Sequence, residues 1–160
     1  PSYNMNDDDS VYIGRFYLNF FNAGLSYTVY VGSNGYITFG HSDTTYFPSF
    51  AAHFSKRRFA PLFVDLNPTA SPRGSIHVYQ DNEKVIVTWY RLVNWNTNTE
   101  NTFQAIVWSN GTLESRYVRI CFVNTSLEKR FTHTAIRFQV RHHFKPGELH
   151  CWCLSWIHAG

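Results

Sequence analysis

Apolar and polar positions alternate with a period of two along most of residues 11–120, the pattern of strands that bury one face. Tyr27-Thr28-Val29-Tyr30-Val31 and Tyr36-Ile37-Thr38-Phe39 are runs of β-branched and aromatic residues on either side of Gly32-Ser33-Asn34-Gly35. Two short strands around Asn-Gly are a strong hairpin signal, because both residues tolerate positive φ. The pattern therefore predicts a tight turn with Asn34 and Gly35 at its tip. Strand composition recurs in Val11–Phe21, Ser75–Gln80, Lys84–Arg91, Thr102–Ser109 and Leu113–Ile120. The breaks are Asn22-Ala23-Gly24, Pro72-Arg73-Gly74, Asp81-Asn82, the Asn/Thr-rich stretch Asn94–Asn101 and Asn110-Gly111. Phe47–Phe59 is less periodic and fits a loop or a short helical turn. Phe59–Leu66 is an apolar run stopped by Asn67-Pro68.

Strands spaced at about 8–12 residues with polar turns between them predict an all-β fold, an antiparallel β-sandwich with long connecting loops. No segment carries a long, capped helical period, which argues against α/β crossovers. Residues 1–10 read as a polar acidic arm, residues 11–140 as a single β-sandwich domain, and residues 141–160 as a tail without clear pattern. Thr132–Val140 alternates as a further strand. Trp89 and Phe103 are expected to share the main core with Phe63.

Composition narrows the class. The chain has 160 residues, of which 44% are hydrophobic, 18% aromatic and only 16% charged, which argues against a disordered or coiled-coil chain. A formal charge of +3 is too diffuse for a nucleic-acid binder. No apolar run approaches the ~18 residues of a membrane span. Pro1 opens the sequence without a basic-then-apolar leader, so the chain reads as a mature or excised fragment.

Four blocks in order resemble the extracellular nidogen-like (NIDO) domain and its relatives in plexin-domain-containing, tumour endothelial marker 7-like proteins. They are Tyr30 to Gly40 around Ser33-Asn34-Gly35, Arg58-Phe59-Ala60-Pro61-Leu62-Phe63-Val64-Asp65-Leu66-Asn67-Pro68, Gly74–Tyr79 followed by Val85–Trp89, and Thr102–Val107 followed by Asn110-Gly111 and Tyr117. The resemblance spans residues ~11–120. It implies a secreted or ectodomain β module of adhesive, matrix or receptor proteins, extracellular in location and without family catalytic activity. Residues 121–160 depart from the family pattern.

The candidate chemistry is sparse. Asp65 follows a near-continuous apolar run, where an ionised carboxylate is costly unless paired. It could meet a cation at a strand end with Asn67, but Asp65-Leu66-Asn67-Pro68 as a side-chain-capped turn is favoured. Asp7-Asp8-Asp9 offers hard oxygens suited to Ca²⁺ but lacks the spacing of an EF-hand loop, so a solvated acidic arm is preferred and no cofactor is expected. Cys121, Cys151 and Cys153 are disulfide candidates, Cys121 pairing with one of the other two. With four histidines nearby, the tail cysteines still lack the paired spacing of a zinc site. Asn110 and Asn124 head sequons, and Gly111 favours an exposed turn at the first. No nucleophile elbow, zinc-protease helix, P-loop or paired-carboxylate arrangement occurs, so no catalytic residue is expected. Function is expected to lie in loops held by a rigid sheet. Trp95, in the Asn94–Asn101 loop, and Tyr46, in the Ser42–Arg58 segment, are the candidate anchors for an extracellular protein partner. A carbohydrate-binding module, with Trp95 stacking on a sugar ring, is the alternative.

Overall fold

In the computed structural model, residues 1–20, 23–121 and 151–152 are described, with the backbone alone for Phe20, Ala23, Cys121, Cys151 and Trp152. The strands are β1 (Ser2–Tyr3), β2 (Ser10–Phe20), β3 (Ala23–Gly32), β4 (Tyr36–Phe39), β5 (Arg58–Phe59), β6 (Leu66–Asn67), β7 (Ser75–Gln80), β8 (Lys84–Asn94), β9 (Glu100–Trp108), β10 (Leu113–Cys121) and β11 (Cys151–Trp152). One short helix, α1 (Phe50–Phe54), lies between β4 and β5. The chain forms the all-β antiparallel sandwich that the strand spacing predicts. One sheet runs β2-β3-β4-β5, and the other runs β1-β7-β8-β9-β10-β11 with β6 beside the end of β8.

In β7, and in most of β8 and β9, burial follows the two-residue period because these strands turn one face to the opposite sheet. In β7, Ile76 and Val78 are buried while His77 and Tyr79 point outward. Phe16, Leu18, Val29, Val31 and Ile37 from the first sheet meet Ile76, Val87, Trp89, Phe103 and Ala105 from the second in one core. Trp89 and Phe103 stack with centroids 4.9 Å apart. The Trp89 indole N–H donates across the sandwich to the Gly32 carbonyl at 3.0 Å, which satisfies the ring's polar atom at the centre of the core.

Phe63 does not join them. It is half-buried outside the main cluster, with its ring edge-on to Tyr36 at 5.1 Å. The apolar run Phe59–Leu66 pairs only at its ends, as β5 and β6, and bends between them. An apolar run need not be one strand, and here Leu66 takes the fully buried place.

Residues 1–10 are woven into the sandwich. Ser2 and Tyr3 pair with His77 and Ile76 of β7, the Val78 N–H donates to the Pro1 carbonyl at 2.9 Å, and Met5 is buried. In β10 and β11, Cys121 stands opposite Cys151 in register. Cys153, Asn124 and Thr132–Val140 lie outside the described residues. Among the described residues, no helix is long and apolar enough to cross a membrane.

Candidate functional site

The β3–β4 turn organises one end of the sandwich. Gly32 pairs with Tyr36, leaving Ser33, Asn34 and Gly35 as a three-residue turn in which only Gly35 has positive φ, +80°. Such turns commonly sit at the solvent-exposed ends of hairpins, yet Ser33, Asn34 and Gly35 are all buried. Residues 6–9 cover them: the Ser33 N–H donates to the Asp9 carbonyl at 2.9 Å, and the Asp9 N–H donates to Ser33 Oγ at 3.0 Å.

Asn34 is the hub. Its Nδ2 donates to Asp8 Oδ1 at 2.8 Å and to the Thr45 carbonyl at 3.4 Å, and its Oδ1 accepts the Leu66 N–H at 2.8 Å. Asp65, next to Leu66, accepts the Trp95 N–H on its carbonyl at 2.9 Å. One buried amide thus ties the 41–49 loop and, through residues 65–66, the 94–100 loop to the same end of the fold. Tyr46 and Trp95 lie on those two loops.

Within the 65–68 turn the polar side chains divide the work. Asn67 caps it, its Oδ1 accepting from Thr69 Oγ1 at 2.6 Å and from the Ala70 N–H at 3.0 Å. The Asp65 carboxylate makes no hydrogen bond among the described residues and instead converges with those of Asp7 and Asp8, all within 4.8 Å. Burial, then the charges of Asp8 and Asp7, push the Asp65 carboxyl up to about 6. Burial and the neighbouring Asp8 raise Asp7 as well. Three carboxylates are hard-oxygen donors of the kind a divalent cation takes, but alone they fall short of the roughly six to eight oxygens that suit Ca²⁺. Their mutual repulsion is the more direct consequence, and Asn34 offsets part of it by donating to Asp8.

The 41–59 segment is held by a buried ion pair that the sequence does not signal. Arg58 reaches Asp43 through a salt bridge, with both side chains almost wholly out of solvent. The guanidinium lies 4.5 Å from the ring centroids of both Tyr36 and Phe63. Among the described residues, Arg58 Nε and Nη1 have no hydrogen-bond partner, and the two aromatic faces supply cation–π contact in their place. Burial alone would raise the Asp43 carboxyl, but the hydrogen bonds from Thr45 and the Arg58 charge hold it below the ordinary carboxylate range. The Tyr36 hydroxyl donates to the carbonyls of Asp43 and Thr45 at 3.1 and 2.9 Å, and burial pushes its phenol up.

On this frame the loop turns its aromatic residues outward. Tyr46, Phe47, Phe50 and Phe54 are 51, 69, 74 and 76% exposed. The helix α1 is capped by Ser49, whose Oγ accepts the Ala52 N–H at 3.0 Å, but none of its residues is buried. Burial in the core is the usual source of helix stability, so these rings are displayed rather than packed. The sequence reading found Tyr46 but missed the three phenylalanines, because aromatic residues beside an apolar run read as core.

Trp95 is 46% exposed and lines a shallow depression of about 300 Å³ with Asn67, Ala70, Asn96, Thr97 and Asn98. Trp108 is partly buried under Lys84, whose Nζ lies 4.9 Å from its ring. Asn110 is exposed at the β9–β10 turn, with Oδ1 accepting the Thr112 N–H at 2.9 Å, so the first sequon is sterically open. Comparison with protein-family models, curated proteins and solved structures finds no match for this chain.

Proposed function

We propose that this chain is a non-catalytic extracellular interaction module, of adhesive, matrix or receptor type, that binds an acidic protein partner through its loop end. The observation that carries the reading is that four aromatic residues within nine of one loop, Tyr46, Phe47, Phe50 and Phe54, are all exposed. Large exposed apolar groups concentrated on one loop are the usual mark of a docking surface, and aromatic residues supply a large share of interface energy. Charge sets the partner's chemistry. In residues 41–59 the basic residues Lys56, Arg57 and Arg58 face a single acid, Asp43, which is already buried against Arg58. The Arg58 side chain is wholly buried and Lys56 also pairs with Asp43 at 3.5 Å, so exposed Arg57 carries the surface positive charge from which an acidic partner gains. The resemblance to nidogen-like domains supports the extracellular setting.

The test is binding of the recombinant chain to cell surfaces and to extracellular matrix, compared with F47S/F50S/F54S. The variant should lose at least tenfold in binding while its melting temperature holds, because none of the three rings is buried. Binding should also weaken as salt rises. Undiminished binding by the variant, or equal binding to protein-free anionic vesicles, would overturn the reading. A second reading, a carbohydrate-binding module, is favoured by a different observation: Trp95 lies in an uncharged polar depression.

A further inference from the structure

We infer that the depression beside Trp95 is a subsite for one pyranose residue of a neutral glycan, an inference that rests on the carbohydrate-binding reading and is separate from the protein-docking aromatics of the 41–59 loop. The argument starts from the loop's rigidity. Trp95 is fixed by its N–H to the Asp65 carbonyl at 2.9 Å, and Asn94 and Thr97 close the turn through N–H bonds to the Thr99 and Asn94 carbonyls at 3.3 and 3.1 Å. Buried Asn101 bolts the base from within, its Nδ2 donating to the Leu92 carbonyl at 3.3 Å and to Asn94 Oδ1 at 3.1 Å. Thr97 Oγ1 and Thr99 Oγ1 share a hydrogen bond at 2.8 Å. These bonds hold the loop without help from the indole ring.

Trp95 is 46% exposed, in contrast to Trp89, which is fully buried. Around it, the side chains of Asn96 and Asn98 have no hydrogen-bond partner among the described residues, and Asn96 is held at φ +55°. The Oδ1 of Asn67 is committed to its turn. The depression thus joins one flat apolar face to uncommitted amides that both donate and accept.

That combination selects the ligand's chemistry. A pyranose ring has an apolar C–H face and a rim of hydroxyls that each donate and accept, so it can stack on an indole while amides meet its rim. No lining residue is charged, so a sulfate, phosphate or carboxylate would give up its hydration without a cation in return. A cavity of about 300 Å³ is at the small end of ligand sites, which suits one ring of a longer chain rather than a buried oligosaccharide. Because the loop is already ordered, little conformational freedom is lost on binding.

The experiment follows the indole N–H signals of ¹⁵N-tryptophan-labelled protein, with Trp95 assigned from W95F. Lactose, mannobiose and diacetylchitobiose are titrated to millimolar concentration beside a heparin disaccharide. At least one neutral disaccharide should shift the Trp95 signal and leave that of buried Trp89 unmoved. N96A/N98A should weaken that response severalfold, and F47S/F50S/F54S should leave it intact. On a multivalent glycan array, W95A should lose at least tenfold and W95F should recover most of it, with unchanged melting temperatures. No response to any neutral sugar, a response to the heparin disaccharide alone, or array binding that survives W95A would overturn the assignment.

Discussion

Replacing Asn34 with alanine removes the one side chain that links residues 6–9, the 41–49 loop and β6. The Leu66 N–H, on a residue with no exposed surface, loses its acceptor, and an orphaned buried donor costs about 1–3 kcal/mol. Asp8 loses a charge-assisted bond of 2.8 Å, of the class worth roughly 1.5–3 kcal/mol, in a place where Asp7 and Asp65 already repel it. The two losses share one residue and overlap, so N34A should cost about 3–5 kcal/mol. At roughly 2–4 °C per kcal/mol for a domain of this size, melting should fall by about 6–20 °C. Asn34→Asp sharpens the test, since it keeps an acceptor for Leu66 but sets a fourth carboxylate beside the other three. N34D should be destabilised at pH 7 and recover toward wild type as the pH is lowered to 5. Urea titration at both pH values measures this. An N34A penalty below about 1 kcal/mol, or an N34D penalty independent of pH, would show that the turn does not act as the hub.

Further expectations follow from neighbouring groups. Gly35→Ala should destabilise by more than the ~1 kcal/mol of an ordinary positive-φ site, because its Cβ would lie 1.9 Å from the Leu62 carbonyl oxygen, and equilibrium unfolding reads it. The Asp65 carboxyl sits at about 6 against an ordinary 3.8, so the folded state holds this proton more tightly than the unfolded state. Its contribution to stability therefore falls as pH rises from 4 through 6, and D65N should be more stable than wild type at pH 7 with a flatter profile across that window. Arg58→Met leaves buried Asp43 with Lys56 at 3.5 Å as its remaining counter-charge, so it should cost at most roughly 3–5 kcal/mol, and adding D43N should restore a large part of it in a double-mutant cycle.

Strand positions were legible because one-sided burial leaves a two-residue imprint: β7 and β8 alternate outward and inward almost without fault. The β8 irregularity near Arg91, which has φ +53° and an N–H bonded to Thr102 Oγ1 at 3.0 Å, carries no such imprint. The candidate site was less legible, since its parts meet only in space. Asn34 reads as an exposed turn residue until the Asp7–Asp9 stretch folds over it. Asp65 reads as a cap because its neighbours in sequence suit one, whereas its carboxylate answers to Asp7 and Asp8, more than fifty residues away along the chain. Arg58 looks like part of a solvated basic run, and only the rings of Tyr36 and Phe63 together with Asp43 turn it inward. Tyr46 and Trp95 could be named because an aromatic residue in a polar loop has few neighbours to hide it.

The pairing of Ser2 and Tyr3 with β7 also bears on whether that sheet edge can take up a strand from a second molecule. Beyond β7, the sheet would present a row of unpaired N–H and C=O groups, the template on which a strand from a second molecule adds. The two residues of β1, together with the Pro1 carbonyl bonded to Val78, occupy that row and act as a short sacrificial edge strand. Material cleaved after Tyr3 should keep its core yet expose the inner edge. Its solutions would then be expected to self-associate with concentration more than those of the intact chain, which sedimentation would measure.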